Sequence, residues 1–159
     1  MIEPEDIIES KLLAALSSAL PDMHFIGGLS PVAEYEQKLS ADTFVSVVVD
    51  LTSQDLDWQG PGEPRTWSVR VNVRFNASDD SSGNGFRDTC RAVRGVLAAC
   101  LGDDCAALDG DGFSCDGFTL DSTATDFMGD ADSGTFAKTY NATVKGRFTP
   151  QQETPQEAE

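Results

Sequence analysis

Histidine is almost missing from this chain, His24 being the only one in 159 residues. The four cysteines, Cys90, Cys100, Cys105 and Cys115, contain no CxxC pair, and without histidine partners they do not make the donor set of a zinc site. They read as reduced, apolar core residues, with Cys90 and Cys100 on the buried face of a helix. Positive charge is scarce: 11 Lys and Arg stand against 27 Asp and Glu, for a net charge of −16 and a pI near 4.1. A nucleic-acid surface needs clustered basic residues to displace counterions, so general nucleic-acid binding is excluded, and anionic membranes are excluded by the same reasoning. No apolar run approaches the roughly twenty residues of a membrane helix. The opening MIEPEDIIESK is acidic where a signal peptide is basic, which predicts a protein that stays in the cytoplasm.

Catalytic patterns are missing too. There is no GxSxG elbow, and neither GxxxxGK[ST] nor GxGxxG opens a helix; Gly83 and Gly85 alone carry nothing. No catalytic residue and no cofactor are expected, and function is sought in a surface. The densest acidic stretch, LDGDGFSCDGFTLDS from Leu108 to Ser122, poses the question of a metal. A calcium loop needs oxygen ligands at positions one, three and five, glycine at six and glutamate at twelve. Counted from Asp109, those last three positions hold Phe113, Ser114 and Leu120. The frame fails, so no metal is expected there. What remains is a turn over Asp109–Gly112, in which glycine tolerates positive φ and aspartate bonds to nearby backbone. It feeds a strand beginning near Phe113.

What is present is a globular pattern, with 40% hydrophobic residues and nine Phe, in a length that fits one domain. Pro4–Leu20 reads as an amphipathic helix, with proline and acids in the first turn, Ile8, Leu12, Ala15, Leu16 and Ala19 at helical spacing, and Pro21 as the stop. HFIGGLSP gives at most one brief strand. TFVSVVVDLT, from Thr43 to Thr52, is a β-branched strand with Val45, Val47, Val49 and Leu51 on one side. After a loop of Gly and Pro, TWSVRVNVRFNA sets Trp67, Val69, Val71, Val73 and Phe75 against Ser68, Arg70, Asn72 and Arg74, a half-buried second arm of a hairpin.

Phe86, Cys90, Val93, Leu97 and Leu101 then recur at helical spacing up to a cap at Gly102. Arg87, Arg91 and Arg94 share an adjacent face, either solvated or in contact with an acidic neighbouring subunit. GFTLDSTATDF continues as a strand, MGDADSG turns, and the last strand sets Phe136, Tyr140, Ala142, Val144 and Phe148 against Thr139, Asn141, Thr143, Lys145 and Arg147. Residues 1–148 form the expected domain, and 149–159 a disordered acidic tail.

Three blocks carry a resemblance: the helix IIESKLLAALSSALP, the pair TWSVRVNVRFNAS and GFRDTCRAVRGVLAACL, and the closing TYNATVKGRF after a long hairpin. In this order, in an acidic chain, they resemble the tail terminator (tail completion) proteins of long-tailed bacteriophages, the family of minor tail protein U. The match spans about Ile7 to Phe148. The resemblance implies an α+β fold, a mixed and mainly antiparallel sheet packed against two helices. It implies a virion protein of the tail and neck, assembled in the host cytoplasm as a homo-oligomer, a six-fold ring that ends tail-tube polymerisation and offers a docking face for the head. The implied partners are the tail tube protein and the head–tail connector protein, with DNA passing through the channel without specific binding; no cofactor, metal or membrane is implied. Arg70, Arg74, Arg87, Arg91 and Arg94 are then the candidate subunit contacts. Asp109, Asp111, Asp116, Asp121, Asp130 and Asp132 are the candidate acidic, channel-facing loop, placed to repel the duplex. The rival readings are a head–tail connector or neck protein of the same particle, and a small cytoplasmic metal-binding or enzymatic domain.

Overall fold

The computed structural model describes residues 3–27, 43–76, 84–99, 105, 108–110, 112–128 and 135–149. The expectations for Cys100, Leu101, the Gly102 cap, Asp111, Asp130, Asp132 and the residues after 149 lie outside these. Seven elements follow in chain order: α1 (Pro4–Ala19), β1 (Phe25–Gly27), β2 (Phe44–Gln54), β3 (Glu63–Asn76), α2 (Asn84–Ala99), β4 (Phe113–Met128) and β5 (Thr135–Phe148). The strands form one sheet in the order β1-β2-β3-β5-β4, parallel only between β1 and β2. Both helices pack on the same face, as the α+β expectation requires.

Proline opens α1 because its fixed φ suits the first turn, and Glu5 and Asp6 complement the positive helix end. No side chain caps it; the Asp6 and Ile7 amides instead donate to the Glu3 carbonyl at 3.0 and 3.2 Å. Ile8, Leu12 and Leu16 are fully buried, together with Ile7. Ala15 and Ala19, expected on that stripe, are exposed. The large residues at i, i+4 and i+8 set the axis of the buried face, and Ile7 extends it on the side of Gly110, where an added Cβ would stand 3.1 Å from the Ile7 side chain.

In β3 the alternation holds throughout: Trp67, Val69, Val71, Val73 and Phe75 all lie in the core. Across the sheet they meet Val45 and Val47 of β2 and Tyr140, Ala142 and Val144 of β5. Trp67 packs edge-on against Phe113 at 5.1 Å and donates its indole Nε1 to the Glu5 carboxylate at 2.7 Å, pinning the start of α1. On α2, Phe86, Cys90, Val93 and Leu97 are buried, as their spacing predicts. Phe86 contacts Phe75 and Phe136, and Tyr140 donates its hydroxyl to the Cys90 carbonyl at 3.0 Å. Leu51, expected to be buried with Val45 and Val47, is 37% exposed. The second half of β2 outruns the helices, and a bulge at Thr52 shifts its register there.

Gly110 and Phe113 exchange paired backbone hydrogen bonds, and Gly112 takes a φ of 86°, while Gly110, also expected to use positive φ, does not. β4 starts at Phe113 and contains two bulges against β5, one between Cys115 and Gly117 and one between Leu120 and Ser122. The extra residue is an aspartate both times, Asp116 and Asp121. Each bulge shifts the alternation by one, so Phe113 and Cys115, then Phe118 and Leu120, share the helix side. Order continues to Thr149, which donates its amide to the Gly112 carbonyl and accepts from the Gly62 amide, both at 2.8 Å.

Candidate functional site

On the face of the sheet away from the two described helices the chemistry is different, and Phe44, Ser46, Val48 and Arg74 are buried there. Cross-strand pairing sets Ser46, Asn72 and Thr139 in one row. Asn72 donates to Ser46 Oγ at 3.3 Å and accepts from Thr139 Oγ1 at 2.8 Å, and Asn141 donates to Ser122 Oγ at 3.1 Å. Arg70 and Arg74, two of the expected contact residues, lie on this face. Arg70 is half-buried. Arg74 stands opposite Phe44 and is only 6% exposed, and its Nε has no hydrogen-bond partner among the described residues. Desolvation by burial lowers its proton affinity from the ordinary value.

The other three arginines are separate from these. Arg87, Arg91 and Arg94 are exposed along α2, on a face beside its buried stripe. Arg91 makes one weak pair with Asp88 at 3.4 Å, with both side chains more than 70% exposed. The structure therefore divides the five expected contact residues into two groups, one on the sheet and one on α2.

The described aspartates of the expected acidic loop are also distributed. Asp109 accepts from the Cys115 amide at 2.6 Å, holding the turn to the strand it feeds. Asp116 and Asp121 belong to β4 itself, where the bulges turn them to the face away from the helices; Asp116 accepts from Arg147 Nε at 3.2 Å, and Asp121 accepts from Thr143 Oγ1. A shallow depression of about 420 Å³ opens between this row and the β2–β3 hairpin, lined by Gln54, Asp55, Arg65, Asp116, Lys145 and Arg147. Arg65 pairs with Glu63 at 2.9 Å and lies over the Phe148 ring.

Among the described residues, no group of three His, Cys, Asp or Glu side chains is placed to hold a metal ion. Burial raises the thiols of Cys90 and Cys115, the second further beside Cys105, so these are core groups and not activated nucleophiles. No described helix is long and apolar enough to cross a membrane. One surface escaped the sequence reading. Leu56 and Trp58, at the tip of the β2–β3 hairpin, are 84% and 43% exposed. The signal was available: Leu56 and Trp58 alternate with Asp55 and Asp57 in a segment that Gly and Pro keep out of the core.

The fold is an α+β one, two helices packed on a five-stranded, mostly antiparallel sheet. No protein-family model matches the chain, and no curated protein matches it. Among solved structures, the chain is similar to a protein described as "Virion of native gene transfer agent (GTA) particle", with 17% identity and a TM-score of 0.48 over 90% of this chain and 92% of that one.

Proposed function

We propose that this is a structural protein of a phage-like particle, a tail terminator that caps the tail tube as a ring and presents the surface to which the head joins. The reading rests on the resemblance of the helix, hairpin, helix and closing-hairpin blocks to the terminator family. The observation that carries it is the sheet itself: the α+β arrangement that the resemblance implies is the one these residues fold into, with both helices on one face. The hairpin tip leaves Leu56 and Trp58 exposed for a neighbour. The charge of −16 suits a protein that lets DNA pass without holding it.

A tube of stacked rings exposes at its end the surface each new ring binds, so growth continues until a subunit complements that end and offers no equivalent one. Loss of this protein should give heads without tails beside tubes of uncontrolled length, and adding it to finished tails should restore joining. Tails of uniform length in its absence, with defective heads only, would replace the terminator by a connector. Electron microscopy of the particles reads both outcomes.

A further inference from the structure

Leu51, Leu56 and Trp58 are the large apolar side chains left exposed among the described residues, and all three belong to the β2–β3 hairpin. Its tip is built to present them. The Asp57 amide donates to Asp55 Oδ1 at 3.0 Å, the Trp58 amide donates to the Asp55 carbonyl at 3.2 Å, and the Trp58 indole donates to the Pro61 carbonyl at 3.2 Å. Gly60 and Gly62 take φ values of 97° and 75°, and the Gly62 amide anchors the far side of the loop on Thr149. A tryptophan held this way meets a partner with little ordering entropy to lose, and Trp is enriched among residues that dominate interfaces. From Asp50 to Pro64 the hairpin carries Asp50, Asp55, Asp57 and Glu63 and no Lys or Arg. The surface it fits is therefore basic, with room for an aromatic ring.

The arginine face of α2 has that chemistry. Arg87, Arg91 and Arg94 follow at i, i+4 and i+7, and the exposed Gly95 and Ala98 beside them leave a low floor; nothing lies within 4 Å of where a Gly95 Cβ would stand. We infer that the β2–β3 tip of one copy docks on the arginine face of α2 in a second copy. Trp58 lies against the guanidinium groups, and Asp55 and Asp57 pair with them. Tip and face are different surfaces, so each pairing leaves one of each free, and the contact repeats head to tail until rotation closes it. The inference rests on the ring-forming reading above and supplies the contact that closes the ring. Two chains of charge −16 repel at long range. At about 0.15 M salt the screening length is near 8 Å, which damps that repulsion more than it damps contacts inside the interface.

The test uses the full chain in sedimentation velocity at about 0.15 M salt, with two exposed double variants, Leu56→Ser with Trp58→Ala and Arg91→Glu with Arg94→Glu. Circular dichroism and thermal melting confirm that each folds. The wild type should form a closed oligomer, and each variant alone should dissociate with at least a tenfold higher Kd. Mixed in equal amounts, the two variants should form a heterodimer and stop, because one copy retains only a sound tip and the other only a sound face. A wild type that stays monomeric at the highest concentration it reaches overturns the inference, as do variants that assemble like the wild type or a mixture that remains monomeric. A protein that ends tubes normally while both variants still form its ring overturns this contact alone. Uniform tails without the protein overturn the terminator reading alone.

Discussion

The two faces of the sheet are built from the same strands by the same alternation, yet they are held by different means. On the helix side, Val45, Val47, Val69, Val71, Val73 and Val144 pack around Trp67 and Tyr140 and exclude water through apolar contact. On the other side, the row Ser46, Asn72 and Thr139 is joined by directed hydrogen bonds, and the bulge aspartates reach across to β5. Apolar burial scales with area and dominates stability, while a hydrogen bond between polar groups contributes little net energy but fixes who faces whom. The first face supplies most of the apolar packing, and the second, where Phe44 and Val48 are also buried, adds contacts that specify register.

The strongest way to break this division is at Trp67, which is fully buried. Trp67→Ala should cost about 3–5 kcal/mol in urea unfolding, through the cavity and the loss of the Glu5 hydrogen bond. A loss near 1 kcal/mol would mean that the helix side does not dominate. Next comes Gly146, where an added Cβ would stand 2.5 Å from the Ser114 carbonyl and 2.6 Å from the Phe113 ring. Backbone cannot move aside as a side chain can, so Gly146→Ala should cost about 1–3 kcal/mol, read by the same unfolding experiment.

Arg74 inverts the sign. Its buried guanidinium lacks a partner at Nε, and replacing a poorly compensated buried charge by an apolar side chain of similar length is stabilising. Arg74→Met should raise the melting temperature, by about 1 kcal/mol of stability; a lower melting temperature would show that the face away from the helices depends on this charge. The smallest effect is expected at Arg147, whose pair with Asp116 joins side chains 64% and 51% exposed. Arg147→Ala should leave the melting temperature almost unchanged.

Much of the helix side was legible in the sequence. The alternation in β3 and β5 and the stripe on α2 are regular patterns of large residues, and the order of elements followed from them. Ala15 and Ala19 misled because alanine is compatible with either face of a helix, so spacing alone did not orient it. Leu51 fits the period of β2, but nothing local says where the helices stop covering a strand. The sides of β4 were hidden for a geometric reason. Two bulges change the phase of the strand, and a reader counting in twos loses the core side at Asp116 and again at Asp121. The separation of Arg70 and Arg74 from the α2 arginines depends on which side of a sheet a helix packs, and no short stretch encodes that.

The bulges have a further effect on how the molecule behaves in concentrated solution. β4 is the last strand of the sheet, and its outer edge would otherwise be a 16-residue template for any extended chain that met it. Interrupting it at Asp116 and Asp121 splits that template into three short lengths, with a carboxylate at each break. An intruding strand would need kinks at the same two places to stay in step. Lateral growth by strand addition is thus disfavoured along this edge.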